Sequence, residues 1–204
     1  MSRELTVLKA IIKSDYDRHI KRFDLLKPGK EIAMIGDSMV AYFPINSLGL
    51  SDQIYNLGIP GDTTIGVLNR IEQAILLKPQ TVIIHVGLND LILTDFDAEQ
   101  IYNNLISIAQ IFKEQIHDVH VIIVNLTPIN KSSFPKQMFV RYRNLHDADS
   151  INLFLKEQNK FKVIDLFSDL VDQNHELDIT RTKDGIHLND SGYKIYVNAL
   201  KDIL

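Results

Sequence analysis

Ser38 stands where an apolar run breaks into small and polar residues, in "IAMIGDSMV" (residues 32–40). A serine in that position either caps a helix or reacts. As a nucleophile its hydroxyl needs a base, and histidine is the side chain whose ordinary pKa suits that work near neutral pH. His187 lies in "DGIHLNDSGY" (184–193), with Asp184 three residues before it as an acceptor able to orient the ring. Acyl transfer also develops charge on a carbonyl oxygen, which calls for fixed donors. Three donors are at hand: the N–H of Ser38, the N–H of Gly61 in "NLGIPGDTT" (56–64), and the side-chain amide of Asn89 in "GLND" (87–90).

Each of these residues also has a plain structural reading. Ser38 suits the N-cap of a following helix. Gly58 and Gly61 suit turns that need positive φ. Asn89 and Asp90 suit a cap or a loop brace, Asp184 and Gly185 suit a turn, and His187 suits a satisfied surface histidine. Asp37 is expected to brace the exit from the strand rather than act in the chemistry. What favours chemistry is the set taken together, and that depends on the elements that carry it.

Five short apolar runs read as strands, at about 31–37, 53–59, 81–87, 120–126 and 161–167. The third and fourth are nearly continuous in Val and Ile, as strands buried on both faces are. Between them, apolar residues recur at helical spacing over Thr64–Leu77 and Ala98–Ile116 and again at about 191–203, and Phe139–Gln158 reads as a further helix, polar at first and then apolar at Ile151, Phe154 and Leu155. Strand and helix in alternation predict right-handed βαβ units, hence an α/β fold with a parallel sheet in a three-layer α/β/α sandwich. Ligands of such sheets bind outside the carboxyl ends of the strands. Ser38, Gly61 and Asn89 all fall at strand exits, and Asp184 and His187 come just before the last helix. The least regular stretch, 127–150, is a candidate loop near the ligand. Phe134, Met138 and Phe139 in that stretch, with Phe43 and Ile45, are candidates for an acyl pocket, although such residues are more often core.

The order Gly36-Asp37-Ser38, Gly61, Gly87-Leu88-Asn89-Asp90, Asp184-Gly185-Ile186-His187 resembles the blocks of the GDSL, or SGNH, hydrolases, a family of esterases and lipases. The resemblance covers about 31–200, and Met39 stands where the family's motif has Leu. It implies a flavodoxin-like sandwich with a five-stranded parallel sheet. It implies Ser38 as nucleophile, His187 as general base and then acid, Asp184 as its orienter, and an oxyanion hole of Ser38, Gly61 and Asn89. It implies no cofactor and no metal. The substrate would be a small-molecule ester, with short acyl or acetyl esters expected and lysophospholipase or thioesterase action on longer chains as the alternative. No G-x-S-x-G elbow is present, so an ordinary α/β-hydrolase is not expected. Two readings come from other classes. One is a metal-dependent phosphoesterase built on Asp37, Asn89, Asp90, Asp184 and His187. The other is a non-catalytic domain that holds a phosphate or sugar at the helix after Ser38.

Composition sets the outer bounds. A chain of 204 residues, 45% hydrophobic and 24% charged, suits one domain, with 1–30 as an N-terminal helical extension packed on it. The net charge of -4 disfavours nucleic acid as a partner. Residues 1–30 are locally basic, with eight Lys or Arg against four Asp or Glu, and Leu5, Leu8, Ile12 and Tyr16 recur at helical spacing. A basic amphipathic helix can lie on a membrane, but interleaved Asp15, Asp17 and Asp24 favour a helix packed on the domain. That helix suits packing in cis as well as the pairing of two chains. The absence of cysteine excludes disulfides, thiolate catalysis and Cys-bound zinc. With no apolar signal core and no apolar run near the roughly 20 residues of a membrane span, a soluble, cytoplasmic protein without stable membrane insertion is expected.

Overall fold

The structure, a computed structural model, describes residues 3–204, with side chains described from Ile12 onward, Ser14 excepted. The expected apolar positions Leu5 and Leu8 lie outside the described side chains. Helix α1 (Arg3–Phe23) leads into strand β1 (Ile32–Gly36) and the single turn α2 (Ser38–Ala41). Strand β2 (Ile54–Gly58) is followed by α3 (Thr64–Asn69) and α4 (Ile71–Leu76). Then come β3 (Thr81–His85), α5 (Asp90–Leu93), α6 (Ala98–Gln115) and β4 (His120–Val124). The chain ends through α7 (Met138–Arg141), α8 (Leu145–Glu157), β5 (Lys162–Ile164), α9 (Phe167–Leu170) and α10 (Asp190–Ala199).

All five strands are parallel, in the order β2-β1-β3-β4-β5. The alternation of side chains along each strand feeds two cores. Ala33 and Ile35 of β1 face a core shared with α1, α3, α4, α6 and α8, where Tyr16, Ile20 and Phe23 of α1 also pack. Ile32 and Met34 face the opposite core, shared with α2, α9 and α10. Helices therefore cover both faces, and the expected three-layer α/β/α sandwich with five parallel strands is the observed fold. His85, the last residue of β3, belongs to this interior. Its Nδ1 lies 2.8 Å from the Tyr196 hydroxyl, and burial lowers its pKa to about 3, so it is neutral. Among the described residues, no helix is long and apolar enough to cross a membrane.

The strand order reverses between β1 and β3, because the chain goes outward from β1 to β2 and returns to the other side. A crevice opens at such a switch point. Gly36 pairs with Gly58 on one side and His85 on the other, so the three neighbouring exits are level.

Two helices expected to be continuous are each divided. The stretch 64–77 breaks at Arg70 (φ -122°, ψ 10°), whose guanidinium turns inward to Asp62 and to the Gly36 carbonyl. Apolar spacing runs on across the break, so it left no trace in the pattern. The stretch 139–158 is likewise two helices, interrupted before Asn144, which caps α8. The interruption sends Arg143 into the interior.

Candidate active site

The turn after β1 is set by close approach. A Cβ on Gly36 would come within 1.9 Å of the His85 carbonyl oxygen, so this end of β1 accepts only glycine. Asp37 then caps α2, its Oδ1 accepting from the Met39 amide at 2.9 Å. Asp37 rather than Ser38 is thus the N-cap, and Ser38, as the first helical residue, keeps its hydroxyl for other partners. Burial pushes the Asp37 carboxyl up to about 7 against the Met39 amide, which favours the charged form.

His187 Nε2 lies 3.1 Å from Ser38 Oγ, across 149 residues of sequence. Its Nδ1 lies 2.7 Å from Asp184 Oδ2. Asp184 Oδ1 accepts from the Ile186 and His187 amides at 3.1 and 2.8 Å, which closes the turn. Burial alone would raise the Asp184 carboxyl, but the ring hydrogen bond, the two amides and the imidazole together hold it at about 2. An ionised carboxylate only accepts, so Nδ1 carries the proton and Nε2 is left to accept from Ser38. The turn is held from outside by the segment after β4, where the Asn130 amide donates to the Gly185 carbonyl at 2.8 Å. Tyr42 and Phe139 flank the imidazole edge-on, at centroid distances of 5.7 and 6.4 Å.

The residues that carry the candidate donors line the same pocket as the imidazole. The backbone N–H groups of Ser38 and Gly61 donate to nothing among the described residues. Gly61 has φ +82°, a left-handed conformation suited to glycine, and Ile12 of α1 lies directly over it. Asn89 donates from Nδ2 to the Asp62 carbonyl at 3.0 Å and accepts at Oδ1 from Arg143 Nη2 at 2.6 Å. The structure thus brings Ser38, His187, Gly61 and Asn89 to one crevice, with Asp184 hydrogen-bonded to His187 and not itself lining it.

The remaining acids have structural partners. Asp62 pairs with Arg70 at 2.8 Å, both buried. Asp90 receives the Thr64 amide and, at 2.5 Å, the Thr64 hydroxyl, which ties the exit of β3 to the start of α3. Burial raises Asp90 to about 6, against those hydrogen bonds. Among the described residues, no three His, Asp or Glu side chains converge as a metal-holding group.

The crevice is a pocket of about 690 Å³. Ser38, Gly61, Asn89 and His187 line it together with Ile12, Tyr42, Ile92, Leu93 and Phe139, which supply apolar surface. Of the proposed acyl-pocket residues, Phe139 lines it. Phe43 and Ile45 lie instead in the core with α2, Phe134 packs on Gly185, and Met138, the first residue of α7, is not among the lining residues. Arg143 also lines the pocket and was not singled out from the sequence. Nothing in its polar surroundings distinguishes it from Arg141 two residues earlier.

Residues 35–195 match the model of the GDSL-like lipase/acylhydrolase family. The fold is similar to that of a Streptococcus pneumonia protein provisionally called a platelet activating factor. The TM-score is 0.84 at 24% identity, over 98% of this chain and 97% of that one. It is also similar to a GDSL-like lipase from Bacteroides thetaiotaomicron, at TM-score 0.78 and 21% identity, over 92% of this chain and 96% of that one. An N-acylneuraminate cytidylyltransferase of Escherichia coli O18:K1:H7 is 25% identical over 178 residues, 85% of this chain. The chain spans only 40% of that relative's length.

Proposed function

We propose that this chain, which belongs to the GDSL-like lipase/acylhydrolase family, is a serine ester hydrolase working through a Ser38 acyl-enzyme. The observation that carries the reading is the line Asp184–His187–Ser38, with contacts of 2.7 and 3.1 Å, in a pocket also lined by Gly61, where the backbone amides of Ser38 and Gly61 have no partner among the described residues. Ser38 Oγ attacks the ester carbonyl while His187 Nε2 takes its proton. The carbonyl oxygen, now negative, is held by the N–H groups of Ser38 and Gly61 and by Asn89 Nδ2. His187 returns the proton to the departing alcohol. It then draws a proton from water, which attacks the acyl carbon, and passes that proton to Ser38 Oγ as the acyl–oxygen bond breaks and the acid leaves.

We assign the substrate to short acyl or acetyl esters. Asp15 and Arg18, paired with each other, stand on the same wall as Ile12, so an acyl chain growing along α1 meets charge. The experiment is hydrolysis of p-nitrophenyl esters of increasing chain length by the wild type and Ser38→Ala. The reading expects turnover that is lost in Ser38→Ala and greatest at short chains. Turnover that survives Ser38→Ala would sink the mechanism. A maximum at long chains would replace the substrate assignment with lysophospholipase or thioesterase action.

A further inference from the structure

We propose that Arg143 is a positioning residue of the oxyanion hole, holding the Asn89 amide in its donating orientation and setting a positive charge behind it. The proposal rests on the serine-hydrolase reading above, in which Asn89 Nδ2 donates to the developing oxyanion.

The first argument is orientation. Arg143 is buried, 2% exposed, in the wall of the pocket. Its Nε donates to the Leu88 carbonyl at 2.9 Å and its Nη2 to Asn89 Oδ1 at 2.6 Å. A guanidinium can only donate, and the Asp62 carbonyl on the other side of Asn89 can only accept. The amide is therefore gripped at both ends, and only one of its two flips satisfies both partners. The permitted flip turns the NH2 group toward the side of Asp62 and Gly61. One N–H is committed to the Asp62 carbonyl, and the other has only Asp37 Oδ2 at 3.5 Å, the outer limit of a hydrogen bond. That second N–H is the one left for a substrate oxygen. The opposite flip would present a carbonyl oxygen to an oxyanion and repel it.

The second argument is charge. Among the described residues no carboxylate lies in ion-pair contact with Arg143, and its Nη1 has no hydrogen-bond partner. Burial lowers its pKa to about 10, which still leaves it protonated at neutral pH. A buried cation with an orphan donor is costly, and an apolar side chain would fill the same space without that cost. The chain of bonds from Nη2–H through the Asn89 carbonyl to Nδ2–H polarises the amide toward the pocket, as linked hydrogen bonds in a dry interior do. Its benefit grows as negative charge develops on the substrate, so it acts on the transition state more than on substrate binding.

The test is a double-mutant cycle on p-nitrophenyl acetate hydrolysis, using Arg143→Gln, Asn89→Ala and the double variant, with Arg143→Lys as a charge-keeping control. Arg143→Gln is expected to lower kcat by roughly 10²-fold, the order of one lost oxyanion donor, with KM changed by less than about threefold. Arg143→Lys is expected to recover part of the loss. In the Asn89→Ala background, Arg143→Gln should cost less than about threefold more, because its effect travels through the missing amide. A purely structural Arg143 would instead cost the same factor in both backgrounds, or act on KM alone, and either result overturns the assignment. Should Arg143→Gln not fold, the same cycle run with Arg143→Lys carries the same two outcomes. Hydrolysis independent of Ser38, or no hydrolysis of the ester series, removes the hydrolase reading and this assignment with it. Ser38-dependent hydrolysis with an additive cycle removes only the role of Arg143.

Discussion

His187 and Asp184 are joined twice: Asp184 Oδ2 lies 2.7 Å from the ring Nδ1, and Oδ1 takes the His187 backbone amide at 2.8 Å. One carboxylate therefore fixes both the ring's tautomer and the turn that carries it. Asp184→Asn separates the two duties. The asparagine oxygen can still accept from the turn amides, but its NH2 then faces Nδ1 and moves the ring proton to Nε2, toward Ser38. We expect kcat to fall by roughly 10³–10⁴, the scale known for a triad with the wrong tautomer, with Tm shifted by a few degrees at most. A variant within tenfold of wild-type kcat would contradict the assignment.

Asp37 gives a pH-dependent prediction for stability. Its carboxyl is raised from 3.8 to about 7, chiefly by burial. The unfolded chain therefore releases this proton at lower pH than the folded one. The cost of burying the group is absent below about pH 4, grows between pH 4 and 7, and is complete above that. Asp37→Asn keeps the acceptor for the Met39 amide and carries no charge. Relative to wild type, the variant should match it near pH 4 and gain by pH 8, on the order of a few kcal/mol. Thermal melts of both proteins at pH 4, 5, 7 and 8 give the comparison, and a difference that does not change with pH refutes it.

Gly61→Ala tests the left-handed turn. At φ +82° a Cβ costs about 1–2 kcal/mol, and it would lie 2.8 Å from Ile12 Cδ1. Denaturant midpoints should fall for Gly61→Ala. Adding Ile12→Ala should recover the contact part of the loss but not the backbone part. Full recovery would mean that backbone strain at Gly61 is negligible.

Ile12 itself should influence which esters are accepted. Shortening it to alanine widens the pocket on the side of Gly61 without touching Ser38, His187 or Asp184. The ratio of kcat/KM for propionate over acetate p-nitrophenyl esters is expected to rise severalfold, one added methylene being worth about 1–3 kcal/mol in an apolar pocket. An unchanged ratio would place the acyl group elsewhere in the crevice.

Much of this arrangement was legible in the chain because it sits at places that leave a mark. Ser38, Gly61 and Asn89 each end or follow a dense apolar strand, and a parallel sheet brings such ends together. Asp184 and His187 are three residues apart, so their pairing is local. Arg70 and Arg143 are different. Arg70 breaks a helix whose apolar spacing runs on undisturbed, Arg143 sits in a polar stretch where that spacing is faint, and each meets a partner elsewhere in the chain, 54 residues away for Arg143 and Asn89. Their roles depend on which way a long side chain turns at an interruption, and no periodicity records that. Asp37, the capping residue, was also hidden, because Asp and Ser side by side are equally good caps.

The overhang of Ile12 divides the pocket between two parts of the chain. The residues proposed to make and break the acyl bond fall within 35–195, the span that matches the family model, whereas Ile12, Asp15 and Arg18 precede it. One wall of the pocket is thus supplied by a segment outside the span that the family model matches. A substitution in α1 can therefore reshape the pocket while the residues proposed to react stay untouched, so the two parts can be varied one at a time.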